Sequence, residues 1–159
     1  MAVIQLDEDQ LIAWGVRIGD GVEAPIVLDL RGDLGAGKTT LARAIAQGAG
    51  VTGTIPSPTY NLLFRYPATR GREVVHIDLY RLDDPEEVWV LGWSELPSDT
   101  GIVLIEWGER AEELMPEPRW QVRLTEGSDA EHRGVQVEAI GSPPPLPLLP
   151  TAATPERAG

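Results

Sequence analysis

The chain of 159 residues has no cysteine, one lysine, no excess of positive charge and no long apolar run. The missing cysteine excludes a disulfide framework, thiolate zinc sites and cysteine catalysis, and it fits a reducing compartment. A bilayer-spanning helix needs about 20 consecutive apolar residues, and no stretch comes near that length. The opening Met-Ala-Val-Ile-Gln-Leu-Asp-Glu-Asp-Gln is acidic and lacks the basic start and apolar core of a signal peptide, so a cytoplasmic protein without membrane association is expected. Twenty-five acids against thirteen bases give a formal charge of −12. Holding a nucleic acid backbone requires positive charge offered to phosphates, so unaided nucleic-acid binding is disfavoured. Arg65, Arg70, Arg72 and Arg81 could still form a local basic patch, or simply the solvated face of a hairpin. There is no Gly-x-Ser-x-Gly elbow and no third glycine to make Gly35-Ala-Gly37 a dinucleotide fingerprint. His76 and His132 lack metal-helix spacing and read as two ordinary histidines. No internal repeat is present.

What is there is 42% hydrophobic, enough for one globular domain with a real core. Its most specific stretch begins at residues 26–30, an apolar strand, and turns into Gly32-Asp-Leu-Gly-Ala-Gly-Lys-Thr-Thr40. Gly32, four intervening residues and then Gly37-Lys38-Thr39 match a phosphate-binding loop. Glycines let successive N–H groups curl around phosphate oxygens, and the following helix presents its positive end. The lysine neutralises phosphate charge, and the first hydroxyl ligates magnesium. Lys38 is the only lysine beside twelve arginines, and it stands where a compact ammonium is wanted and a planar guanidinium substitutes poorly. The bland alternative is a glycine-rich turn between strand and helix.

Asp7 can cap a helix whose first turn holds Glu8 and Asp9, with Leu11, Trp14, Gly15 and Ile18 inward and an end near Gly19. Leu41, Ala42 and Ile45 continue the helix after the loop to Gly48. Residues 52–55 read as a short extended piece. Pro56-Ser-Pro-Thr-Tyr60 forbids helix, and Ser57 and Thr59 could sense a γ-phosphate or its metal; a proline-stiffened connection is the equal alternative. Residues 61–66 and 74–77 predict an antiparallel hairpin, the second strand delivering Asp78 at its end. Pro85 opens a predicted helix with Val88, Leu91 and Leu96 inward, and Trp89 and Trp93 on one face, as core or partner surface. Residues 101–105 are four aliphatics after a glycine, a strand buried on both faces, from whose C-terminal end Glu106 emerges. That is the ligand-binding edge of a parallel α/β sheet, so Asp78, Glu106 and the loop should share one crevice. Residues 109–114 predict a short helix, and 120–125 with 135–140 a closing hairpin. The fold class expected is α/β, three layers around a mixed sheet with a parallel centre and antiparallel hairpins. Residues 1–140 form the domain; 141–159 are proline-rich and predicted to be disordered, or else a polyproline ligand for a partner.

Together, the loop, Ser57-Pro-Thr-Tyr60, His76-Ile-Asp-Leu-Tyr-Arg81 and Ile105-Glu-Trp107 resemble the TsaE (YjeE) family of bacterial P-loop ATPases, in order from about residue 5 to 140. The resemblance implies ATP and Mg2+ as ligands and a role in making N6-threonylcarbamoyladenosine beside the tRNA anticodon. It implies TsaB and TsaD proteins as partners, with TsaD performing the transfer and tRNA met only through the complex. Asp33, Leu34, Gly35, Ala36, Gly37, Lys38, Thr39 and Thr40 would cradle the phosphates, with Thr59 in a switch segment and Trp107 beside the site. Lys38, Asp78 and Glu106 would be catalytic, and Thr39, Asp78 and Glu106 would surround the metal. Aspartate is usual where Glu106 stands, so its longer reach leaves direct coordination open. An arginine from a partner could complete the site. A small-molecule kinase would need an acceptor site and a lid insertion after Lys38, and no distinct lid is seen. A nucleotide-gated binding module, needing ATP binding alone, is the remaining alternative.

Overall fold

The computed structural model describes residues 2–53 and 62–150. The chain runs through β1 (Ile4–Asp7), α1 (Glu8–Gly21), β2 (Ile26–Arg31), α2 (Lys38–Gly48), β3 (Leu63–Pro67), β4 (Glu73–Asp78), β5 (Gly101–Glu106), β6 (Arg119–Glu126) and β7 (His132–Ile140). The strands form one sheet in the order β1-β7-β6-β2-β5-β4-β3. β2 runs parallel to β5 and β6, and β4 parallel to β5. The pairs β1–β7, β6–β7 and β3–β4 are antiparallel. This is the expected mixed sheet, with β1 as an addition: its four residues lie in the acidic opening, where no apolar run marks a strand.

β2 and β5 are buried along their whole length, which is why aliphatic residues dominate both. Successive side chains point to opposite faces. Leu28, Leu30, Ile102 and Leu104 meet α1 and α2 on one face; Val27, Val103, Ile105 and Ile77 meet Leu79, Val88, Trp93 and Met115 on the other. That second layer is made of 3-10 helices at Pro85–Leu91, Trp93–Glu95 and Gly108–Leu114, where helices are expected from Pro85 and over 109–114. Gly92, left-handed at φ 84, ends the first of them and separates the two tryptophans. Trp93 is therefore buried while Trp89 is exposed, and they do not share a face.

α1 is capped as expected, Asp7 accepting from Gln10 N at 2.8 Å and Gln10 Oε1 from Asp7 N at 2.9 Å, but it runs two residues further, to Gly21. It lies against α2 where glycines remove side chains: a Cβ on Gly19 would stand 1.9 Å from the Ile45 carbonyl oxygen. Arg72 is neither part of a basic patch nor solvated. Its buried guanidinium donates to the carbonyls of Gly19 at 2.8 Å and Val22 at 3.1 Å, which the end of α1 leaves open, and to that of Thr69 at 3.0 Å. Arg65 pairs with Glu73 at 3.1 Å.

Within β2, Asp29 is fully buried and accepts from Arg31 Nε at 3.0 Å and Arg119 Nε at 3.0 Å; Arg31 reaches on to Glu112 at 2.7 Å. Two guanidiniums around one carboxylate lock β2, β6 and the Gly108–Leu114 segment together. Residues 52 and 53 carry no strand, and 54 and 55 lie outside the described residues. Residues 142–150 have no helix or strand, as their prolines require, and they lie along the domain, where Trp14, Arg17 and Trp120 donate to their carbonyls; the rest of the tail expected to be disordered, 151–159, lies outside the described residues. Among the described residues no helix is long and apolar enough to cross a membrane.

Candidate functional site

β2 ends at Arg31, and the chain then turns through glycines into α2. Gly32 has φ 148, and a Cβ there would stand 2.5 Å from the Leu124 carbonyl oxygen of β6; Gly37, left-handed at φ 109, leads into Lys38 as the first helical residue. No side chain caps α2. Its first N–H groups therefore face the loop without an intrachain acceptor of that kind, the arrangement that binds anions. From β7, Arg133 Nε donates to the Ala36 carbonyl at 3.2 Å and braces the loop from behind.

Lys38 is buried, and its Nζ donates to the carbonyls of Gly32 and, at 3.0 Å, Asp33. The ammonium also stands 4.1 Å from the centre of the Trp107 ring, within cation–π range. Burial pushes its pKa down, and the charges of Glu106, Glu109, Asp78 and Asp33 oppose that shift. Thr39 Oγ1 donates to Glu106, at 2.9 Å to Oε1 and 3.2 Å to Oε2. Asp78 and Glu106 are register partners at the C-terminal ends of neighbouring parallel strands. Burial raises the Asp78 pKa above the usual carboxylate range; a hydrogen bond from Tyr80 N at 2.9 Å opposes the rise, and the Glu106 charge adds to it.

Trp107 holds a left-handed backbone, φ 62 and ψ 36, a conformation that costs a non-glycine residue about 1–2 kcal/mol. It turns the ring over Lys38 and toward Tyr80, whose ring centre is 5.0 Å away. Arg110 stacks on the same pair, 5.4 Å from the Tyr80 ring. Lys38, Thr39, Asp78, Tyr80, Glu106 and Trp107 line a cleft of about 840 Å3 that the start of α1, from Asp7 to Leu11, also lines. The structure thus brings together Leu34, Gly35, Ala36, Gly37, Lys38, Thr39, Thr40, Asp78, Glu106 and Trp107 around the cleft. Asp33 lies on the neighbouring side of the loop, and Ser57 and Thr59 lie outside the described residues.

One residue reads differently from the expectation. His76 is not an ordinary core histidine: its Nε2 lies 2.7 Å from Glu106 Oε2, with both side chains buried. The signal for it was present, since His76 is two residues before Asp78 and so on the same face of β4. Arg133 gave no such signal, being brought to the loop only by the sheet order. Among the described residues no three His, Cys, Asp or Glu side chains are grouped to hold a metal by themselves. Thr39, Asp78 and Glu106 could offer one hydroxyl and two carboxylates, hard oxygens of the kind magnesium takes when phosphate oxygens and water complete its shell.

The model of the family described as threonylcarbamoyl adenosine biosynthesis protein TsaE matches residues 6–135. A tRNA threonylcarbamoyladenosine biosynthesis protein TsaE of Haemophilus influenzae is 38% identical over 131 residues, 79% of this chain and 82% of that protein. The Bacillus subtilis protein of the same name is 37% identical over 116 residues, 73% of this chain and 71% of its own. A crystal structure of Bacillus subtilis YdiB superimposes with a TM-score of 0.70 at 28% identity, covering 89% of each chain. That likeness and the sheet order agree on a P-loop NTPase-like fold.

Proposed function

The chain belongs to the TsaE family, whose role is in tRNA threonylcarbamoyladenosine biosynthesis, and from that premise we propose a magnesium-dependent subunit that binds and hydrolyses ATP. It acts in the cytoplasm on a complex of TsaB and TsaD proteins, which transfers the threonylcarbamoyl group. The tRNA is met only through that complex, in keeping with the charge of −12.

The observation that carries this reading is the Thr39–Glu106 hydrogen bond, which joins the helix after the glycine loop to the ligand-binding edge of the sheet. The loop amides and Lys38 would hold phosphate oxygens, Lys38 exchanging its present carbonyl partners for them. Thr39, Asp78 and Glu106 would hold magnesium, which when bound supplies neutralising charge. Glu106 is held by Thr39 on one side and His76 on the other, so its carboxylate is fixed before ligand arrives. Phosphoryl chemistry needs positioning and charge stabilisation more than a strong base, and fixed groups in a partly dry cleft provide both. The Trp107 ring, 4.1 Å from the Lys38 ammonium, covers part of it from water. An arginine from a partner would complete the charge stabilisation.

ATP turnover measured with and without TsaB and TsaD tests the proposal. Turnover should rise with the partners, and Lys38→Ala should lower it about 100-fold or more while stopping tRNA modification. Full modification by Lys38→Ala would sink the reading. A Glu106→Ala variant that binds ATP, fails to hydrolyse it and still sustains repeated rounds would instead make the protein a nucleotide-gated binding module.

A further inference from the structure

Residues 142–150, Ser-Pro-Pro-Pro-Leu-Pro-Leu-Leu-Pro, lie outside the span matched by the family model and outside the cleft. Their exposure repeats every three residues: 142, 145 and 148 are exposed, and the two residues between each are partly covered. A period of three is that of a polyproline II helix, which proline favours and which has no internal hydrogen bonds. The contacts keep the same period. Leu146 and Leu149, three apart, pack against the core cluster containing Trp14 and Ile18. Pro144 and Pro147, also three apart, each present a carbonyl to an indole: Trp120 Nε1 donates to Pro144 O at 2.7 Å, and Trp14 Nε1 to Pro147 O at 3.0 Å. Arg17 Nη2 adds a bond to Leu148 O at 2.9 Å.

We propose that Trp14, Arg17 and Trp120 form a polyproline-recognition groove, filled in cis by the Pro144-x-x-Pro147 segment of the same chain and open to a proline-rich segment in trans when that one is withdrawn. The chemistry is specific. A proline-rich strand has few N–H groups, so it is recognised through its carbonyls, and those of Pro144, Pro147 and Leu148 here each accept from a side-chain N–H. Indole is suited to both tasks, its ring giving flat apolar contact and its N–H one donor. Aromatic-lined grooves for PxxP segments work on the same terms. With the segment in place Trp14 is fully buried, so withdrawing it uncovers the indole ring and gives up the hydrogen bond to Pro147, and the groove favours being filled. The site is independent of the nucleotide reading, since none of its three donors lines the cleft.

The test uses the full chain and a synthetic peptide of residues 142–150. In the Leu146→Asp/Leu149→Asp double variant the inward face carries charge and the segment should leave the groove. Of the five tryptophan indole N–H resonances, those of Trp14 and Trp120 should move and then return as the peptide is added. The double variant should bind the peptide about tenfold or more tighter than the unaltered chain, whose groove is filled, and a peptide with glycine at the positions of Pro144 and Pro147 should bind about tenfold more weakly. Should the double variant not fold, Pro144→Gly/Pro147→Gly in the full chain loosens the segment without adding charge and is read the same way. If the Trp14 and Trp120 resonances stay unmoved in a folded release variant, or if such a variant binds the peptide no better than the unaltered chain, the proposal is overturned.

Discussion

Glu106 accepts hydrogen bonds from Thr39 and lies against His76, so a single carboxylate joins the loop helix to the neighbouring strand. With the carboxylate ionised, the imidazole donates, and its removal frees Glu106 to rotate. His76→Phe should therefore lower ATP turnover about 10- to 100-fold with the fold intact, the range found when the partner of a metal-side ligand is lost. His76→Gln, which keeps a donor, should recover part of it; turnover against magnesium concentration, with circular dichroism as the control, decides. His132 provides a contrast at the surface. Its hydrogen bond with Asp129 raises its pKa above 6.5, while the same bond lowers that of Asp129. The pair is intact between the two: it is lost as pH rises through the raised histidine value, and again as pH falls through the lowered aspartate value. Proton NMR should show His132 titrating above 6.5, and Asp129→Asn should return it toward that value.

At the scale of elements, α1 and α2 touch through backbone. Gly19→Ala puts a methyl group 1.9 Å from the Ile45 carbonyl oxygen, so the helices must part, and stability should fall by roughly 1–3 kcal/mol in denaturant titration. The buried Asp29 cluster makes a second case. Asp29→Asn removes the one buried counter-charge that Arg31 and Arg119 share, leaving them only the exposed Glu112 and Glu117, and should cost about 3–5 kcal/mol, read as a lower unfolding midpoint. What was legible in the sequence, and what was not, follows the same division. β2 and β5 could be read because aliphatics dominate each, and Asp78 and Glu106 because each ends a mostly aliphatic stretch. Asp29 and Arg31 could not, since charges inside a strand have meaning only once Arg119 is brought beside them from 90 residues away. Proline, acids and apolar residues open α- and 3-10 helices alike, so the sequence does not tell the two apart, and Gly92 marks a stop only through its left-handed backbone. His76 had the right spacing from Asp78, but its value depended on Glu106 lying across the strand pair. The tail illustrates the remaining difficulty: prolines exclude helix and strand, and they do not exclude docking.

The whole molecule carries a charge of −12, which repels phosphate backbones at any distance where salt does not screen it. The protein alone should form no measurable complex with tRNA at about 0.15 M salt, and retention of tRNA should appear only when TsaB and TsaD are both added. A mobility-shift titration of the single protein, showing binding that weakens steeply with salt, would contradict this.

The pairing of β2 also has a consequence for the growing chain on the ribosome. Leu28 of β2 pairs with Leu104 of β5 and with Trp120 of β6, so both neighbours of the strand that carries the glycine loop are made long after it. Contacts so distant along the chain form slowly, because the loops they close must be ordered first. The nascent protein thus displays its glycine loop while the strand beneath it has no partner, and Thr39 waits for Glu106. A ribosome stalled at residue 100 should present a chain that does not retain ATP, and one stalled with the whole domain outside the exit tunnel should retain it. Nucleotide binding would then report that synthesis of the domain is complete.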